Sequence, residues 1–93
     1  MDKKDLDPVE LKKDLTQAEE HLVNHLTNPK QNGSFIQNLI PAIFAADINN
    51  KTKLARVFPE YVSIIIKYQN DWNYYKELEY RWNKKYPDNK VKL

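Results

Sequence analysis

A single glycine, Gly33, serves a chain of 93 residues. Two-residue β-hairpins place positive φ at their tips and draw on Asn-Gly, Asp-Gly or Gly-Gly to do so, so this chain lacks the material for an antiparallel meander. Proline supplies the punctuation instead, at positions 8, 29, 41, 59 and 87. Between those marks the apolar residues recur at three and four, the period of a helix that buries one side. The expected fold class is all-α: a compact bundle of four to five helices, one of them kinked at Pro41, in one domain spanning 1–93 with frayed ends at about 1–6 and 88–93. A chain of this length buries only about 60% of the surface its unfolded form exposes, which leaves room for one core. Cysteine is absent, so neither disulfides nor thiolate metal sites add to that core.

Asp7-Pro8-Val9-Glu10 reads as a helix start, with Asp7 as N-cap, Pro8 at the first helical position and Glu10 reaching back. That spacing predicts a helix from Pro8 to about Thr27, carrying Leu11, Leu15, Ala18, Leu22 and Leu26 on one stripe and stopped by Asn28-Pro29. After the loop at Lys30–Gly33, Ser34 with Gln37 suggests a capped second helix. Its apolar set of Ile36, Leu39, Ile40, Ile43, Phe44 and Ile48 marks it as the central one, and Pro41 inside it removes a backbone hydrogen bond. Asn50 reads as the cap of a brief helix from Lys51 to Val57, and Pro59 as the opening of the next. The triple isoleucine at 64–66 has strand propensity but no partner strand, so helix is expected. A bend at Gln69-Asn70-Asp71 leads into a last helix from Trp72 to about Lys85, ended by Tyr86-Pro87-Asp88-Asn89.

The stretch from Lys67 to Pro87 holds seven aromatic rings among basic side chains. A nucleic-acid platform needs rings open to solvent, whereas a helix packed on its neighbours needs them in register. Tyr68, Trp72, Tyr75, Leu78, Trp82 and Tyr86 recur at four, three, three, four and four, which predicts one shared, buried face. Tyr74 and Tyr80 fall off that stripe, beside Lys76, Arg81, Lys84 and Lys85. Tyr74, Tyr80, Arg81, Lys84 and Lys85 are therefore the candidate partner-binding residues, because tyrosine and arginine anchor protein interfaces and basic groups attract phosphates.

Charge is uneven along the chain. The first twenty residues carry seven carboxylates against four lysines, and residues 51–93 carry ten Lys or Arg against five carboxylates, within a net charge of +2. The asymmetry points to an anionic partner near the C-terminal half. Catalytic chemistry finds little support. His21 and His25 are four apart, but His-Leu-Val-Asn-His lacks the glutamate of the zinc-protease signature and a third ligand, so no metal is expected. Ser34 reads as a cap, Ser63 has no histidine near it in sequence, and no glycine-rich phosphate loop exists, so neither an enzyme nor a cofactor is expected. A helix-turn-helix over Lys51–Ile66 is disfavoured by its proline junction and the apolar helix that follows. No apolar run reaches the roughly 18 residues of a membrane span, and the start carries no secretory pattern, so a cytoplasmic protein without a membrane partner is expected.

Positions 44–68, FAADINNKTKLARVFPEYVSIIIKY, resemble a pattern in small helical proteins of bacterial phages and mobile elements. Ala46, Asp47, Asn50, Leu54, Phe58, Pro59, Glu60, Val62 and Tyr68 carry the likeness, over about a quarter of the chain. The resemblance implies a setting in which non-enzymatic helical proteins, anti-CRISPR proteins among them, disable a larger host machine. The leading expectation is thus an interaction module that inhibits a host nuclease or ribonucleoprotein. The alternative is direct binding of RNA or single-stranded DNA by the basic aromatic helix, and a homodimer through the Trp72–Tyr86 stripe is a third reading.

Overall fold

The computed structural model describes residues 14–93. In chain order they form α1 (Gln17–Thr27), a 3-10 turn (Pro29–Gln31), α2 (Ser34–Ala45), α3 (Ile48–Ala55), α4 (Pro59–Asn70) and α5 (Tyr74–Lys85), and no strand occurs among them. The all-α expectation holds, with five helices in the described residues.

Thr16 and Glu19 set where α1 begins. The Thr16 hydroxyl accepts from the Glu19 amide at 3.1 Å, and the Glu19 carboxylate accepts from the Thr16 amide at 3.0 Å, a complete capping box. One helix from Pro8 to Thr27 is therefore not what forms: residues 14–16 are non-helical, and α1 begins at Gln17. The Asp7-Pro8 start and Leu11 lie outside the described residues. Leu15, Ala18 and Leu22 are buried as the stripe predicted, joined by Val23. The helix stops at Thr27 before Asn28-Pro29.

Buried Asn32 folds the following loop onto α1. Its amide nitrogen donates to the His21 carbonyl at 2.9 Å, its amide oxygen accepts from Asn24 at 3.2 Å, and its carbonyl accepts from the Gln37 side chain at 2.6 Å. Gln37 is thereby engaged outside any capping box. The N-cap of α2 is Gly33, not Ser34, and no side chain closes it. α2 also runs unbroken through Pro41. Both Pro41 and Gln37, whose carbonyl loses its donor, are exposed, so water can satisfy that carbonyl.

α3 starts three residues earlier than expected, because Asp47 is the cap: its carboxylate accepts from the Asn50 amide at 2.8 Å. Ile48 consequently belongs to α3 and is exposed instead of completing the face of α2. Pro59 opens α4 as expected. The central helix is α4, not α2, since α4 packs against each of the other four. Leu22, Ile40, Ile43, Ile65 and Leu78 meet in one fully buried cluster. Burying each of these side chains stabilises the fold by about 1.5–3 kcal/mol relative to leaving it exposed.

Asp71 divides the two C-terminal helices. Its carboxylate accepts from the Asn73 amide at 2.9 Å, a local turn that holds Trp72 and Asn73 out of helix, so α5 begins at Tyr74. Beyond α5 the tail, expected to fray, runs back along it. Asn83 and Val91 exchange two hydrogen bonds, of 2.7 and 3.0 Å, the Leu93 amide donates to Glu79, and the Trp82 indole donates to the Asn89 carbonyl. No helix among the described residues is long and apolar enough to cross a membrane.

Candidate functional site

α5 presents two faces that differ in what meets them. On the inner face Tyr74, Glu77, Leu78 and Arg81 are buried. Tyr74 is 1% exposed and Arg81 5%, so neither is the surface contact that its place off the aromatic stripe suggested. The missed signal is the Thr16–Glu19 capping box, which fixes a carboxylate at the start of α1. Arg81 grips that carboxylate with two parallel bonds, Nη1 to Oε1 at 3.0 Å and Nη2 to Oε2 at 2.6 Å, and the Tyr74 hydroxyl donates to Oε2 at 2.7 Å. Glu77 lies one turn before Arg81 on the same helix, 3.5 Å from its guanidinium.

One carboxylate thus caps α1 and clamps α5. Burial works to raise the Glu19 pKa, but the bonds from Arg81, the Thr16 amide and Tyr74 outweigh it and hold the carboxyl below its ordinary value. Burial, together with donation to Glu19, pushes the Tyr74 phenol well above its ordinary range. The network stays charged and closed at neutral pH, and its role is structural.

The outer face is open. Tyr75, Lys76, Glu79, Tyr80, Asn83 and Lys84 of α5, with Lys90, Lys92 and Leu93 of the returning tail, line a groove of about 800 Å³. The Asn83–Val91 bonds explain its chemistry: Val91 and Leu93 are half-buried, while Lys90 and Lys92 between and before them are exposed. Four lysines therefore face one acidic residue, Glu79, and that carboxylate already accepts from the Leu93 amide at 2.8 Å. Among the described residues no carboxylate lies in ion-pair range of Lys76, Lys84, Lys90 or Lys92.

Tyr75 also borders a second hollow of about 260 Å³, shared with Tyr68, Gln69, Asn70, Asp71 and Trp72. Trp72 is 81% exposed, a consequence of the Asp71 turn that takes it off the helix. The expected single buried stripe is accordingly divided: Leu78 is fully buried, Tyr68, Tyr75, Trp82 and Tyr86 are half-buried, and Trp72 is in water.

Of the five candidate contacts, Tyr80 and Lys84 line the groove and Tyr74 and Arg81 belong to the core. Lys85 stands apart, tied to Glu20 of α1 at 2.6 Å, with Tyr86 donating to the same carboxylate at 2.7 Å. Trp72, Tyr75, Lys76, Lys90 and Lys92 were not legible as site residues. The alternation Lys90-Val91-Lys92-Leu93 is the one sequence signal that bears on them.

The remaining candidates for chemistry have structural occupations. His21 Nδ1 shares a 2.7 Å hydrogen bond with the Tyr61 hydroxyl and stacks on its ring, and His25 stacks on Phe44, where burial lowers its pKa. Asp47 caps α3. No group of His, Asp and Glu that could hold a metal ion occurs among the described residues. Compared with known proteins, the chain matches no family model, no curated protein and no solved structure.

Proposed function

We propose that this chain is a non-enzymatic interaction module that works by occupying the surface of a protein or ribonucleoprotein, and that the α5–tail groove with neighbouring Trp72 is its docking face. One observation carries the reading: four lysines with no carboxylate in ion-pair range among the described residues share a groove with Tyr75 and Tyr80, beside an exposed tryptophan. Exposed aromatic anchors with a charged rim are the composition of a binding hot spot, and unpaired cations on one face favour a partner of negative charge. The structural employment of His21, His25 and Asp47 supports a role outside catalysis. The narrower role, a phage-type inhibitor of a host nuclease or ribonucleoprotein, rests on the resemblance of positions 44–68 and not on the groove.

Affinity capture from the native host, with the intact chain and a Trp72→Ala/Lys84→Glu variant in parallel, tests the docking face. Both side chains are exposed, so the variant should melt as the parent does. Partners retained by the parent and lost by the variant are expected. The same partners on both would remove this face from consideration.

A further inference from the structure

We infer that the docking face takes single-stranded nucleic acid, with bases stacking on Trp72, Tyr75 and Tyr80 and phosphates meeting Lys76, Lys84, Lys90 and Lys92. The inference rests on the reading of this groove as the docking face and adds the chemistry of what docks there. Stacking demands ring faces that solvent can reach. Trp72 is 81% exposed and Tyr80 48% exposed, and half-buried Tyr75 borders both the hollow that Trp72 lines and the groove that Tyr80 lines. A polyanion also demands cations not already neutralised, and among the described residues no carboxylate lies in ion-pair range of any of the four lysines. The lysines come from two chain segments that line the same groove, α5 and the tail, and a basic groove of this kind can track a nucleic-acid backbone.

An acidic protein segment would satisfy the lysines but carries no flat ring at every repeat to stack on the open ones. A duplex would offer phosphates while hiding its base faces. Single strands supply both, because every base has a π-face and every nucleotide a phosphate. Arg81 and Tyr74 take no part, since Glu19 already holds them.

The test is fluorescence anisotropy of a fluorescein-labelled oligouridine titrated with the full chain, with unlabelled oligouridine, a duplex of equal length and polyglutamate as competitors. Four phosphate contacts give a slope of about −3 in log affinity against log salt, or about a 50-fold loss between 50 and 200 mM. Trp72→Ala and Tyr80→Ala should each weaken binding about tenfold, while Tyr80→Phe, which keeps the ring, should bind as the parent does. Lys84→Ala should make the slope shallower by about 0.7.

Three results overturn the inference: no binding at 50 mM salt, ring-deletion variants that bind like the parent, or polyglutamate displacing the probe as well as oligouridine does. Should any of these occur while the Trp72→Ala/Lys84→Glu variant still loses its captured partners, the docking face stands and its occupant is a protein.

Discussion

Tyr74 with Arg81 and Tyr80 with Lys84 are two pairs of one ring and one cation, set on the same helix of 12 residues, about three turns long. The first pair is sealed against α1 and the second faces an open groove. Residue type does not separate them, for each joins a tyrosine to a basic group. The difference lies in the carboxylate opposite. Glu19, fixed by its own capping box, stands where Arg81 and Tyr74 can both reach it, whereas Glu79 is turned to the Leu93 amide and leaves the groove lysines unanswered. A cation beside a ring becomes core or contact according to whether another element brings it an anion.

The largest way to break this contrast is to remove the shared carboxylate. Glu19→Ala leaves Arg81 buried without its counter-charge and removes the Tyr74 acceptor and one half of the α1 cap. The expected cost is about 3–5 kcal/mol in urea unfolding, against a total of about 5–15 kcal/mol for an ordinary domain. A cost under about 1 kcal/mol would mean that the clamp is ornamental and the two faces are alike.

Acid sharpens the same contrast with a smaller effect. Because the folded Glu19 carboxyl sits below its ordinary value of 4.5, the unfolded chain takes up the proton first as pH falls. The clamp's contribution is therefore complete above about pH 4.5 and is lost as pH drops through the lower, folded value. Glu20, also held low against burial by Lys85 and Tyr86, adds to that limb. Urea unfolding from pH 6 to pH 2 should show a decline that flattens in Glu19→Gln. An unchanged acid limb in that variant would place the pH dependence elsewhere.

Sequence spacing disclosed the helical class, the stop at Asn28-Pro29, the start at Pro59 and core positions such as Leu22, Ile40, Ile43 and Leu78, because each depends on local chemistry or on one helical period. It misled wherever a period ran across a break. Leu11 and Leu15 continue the spacing of Ala18 and Leu22, which masks the helix cap at Thr16. Tyr68 and Trp72 continue the spacing of Tyr75, which masks the Asp71 turn that puts Trp72 in water. The role of Arg81 was beyond any local pattern, since its partner is 62 residues away in the chain. The groove was half legible: Tyr80 and Lys84 follow from α5 alone, while Lys90 and Lys92 join only because Asn83 recruits the tail.

If the two faces of α5 do different work, urea unfolding of Arg81→Ala beside Tyr80→Ala, at pH 7 in one buffer, should separate them. The first should lose about 3–5 kcal/mol, because it strands Glu19, and the second should change by no more than about 0.5 kcal/mol, because it touches only surface. Equal losses, or the larger one at Tyr80, would contradict that difference.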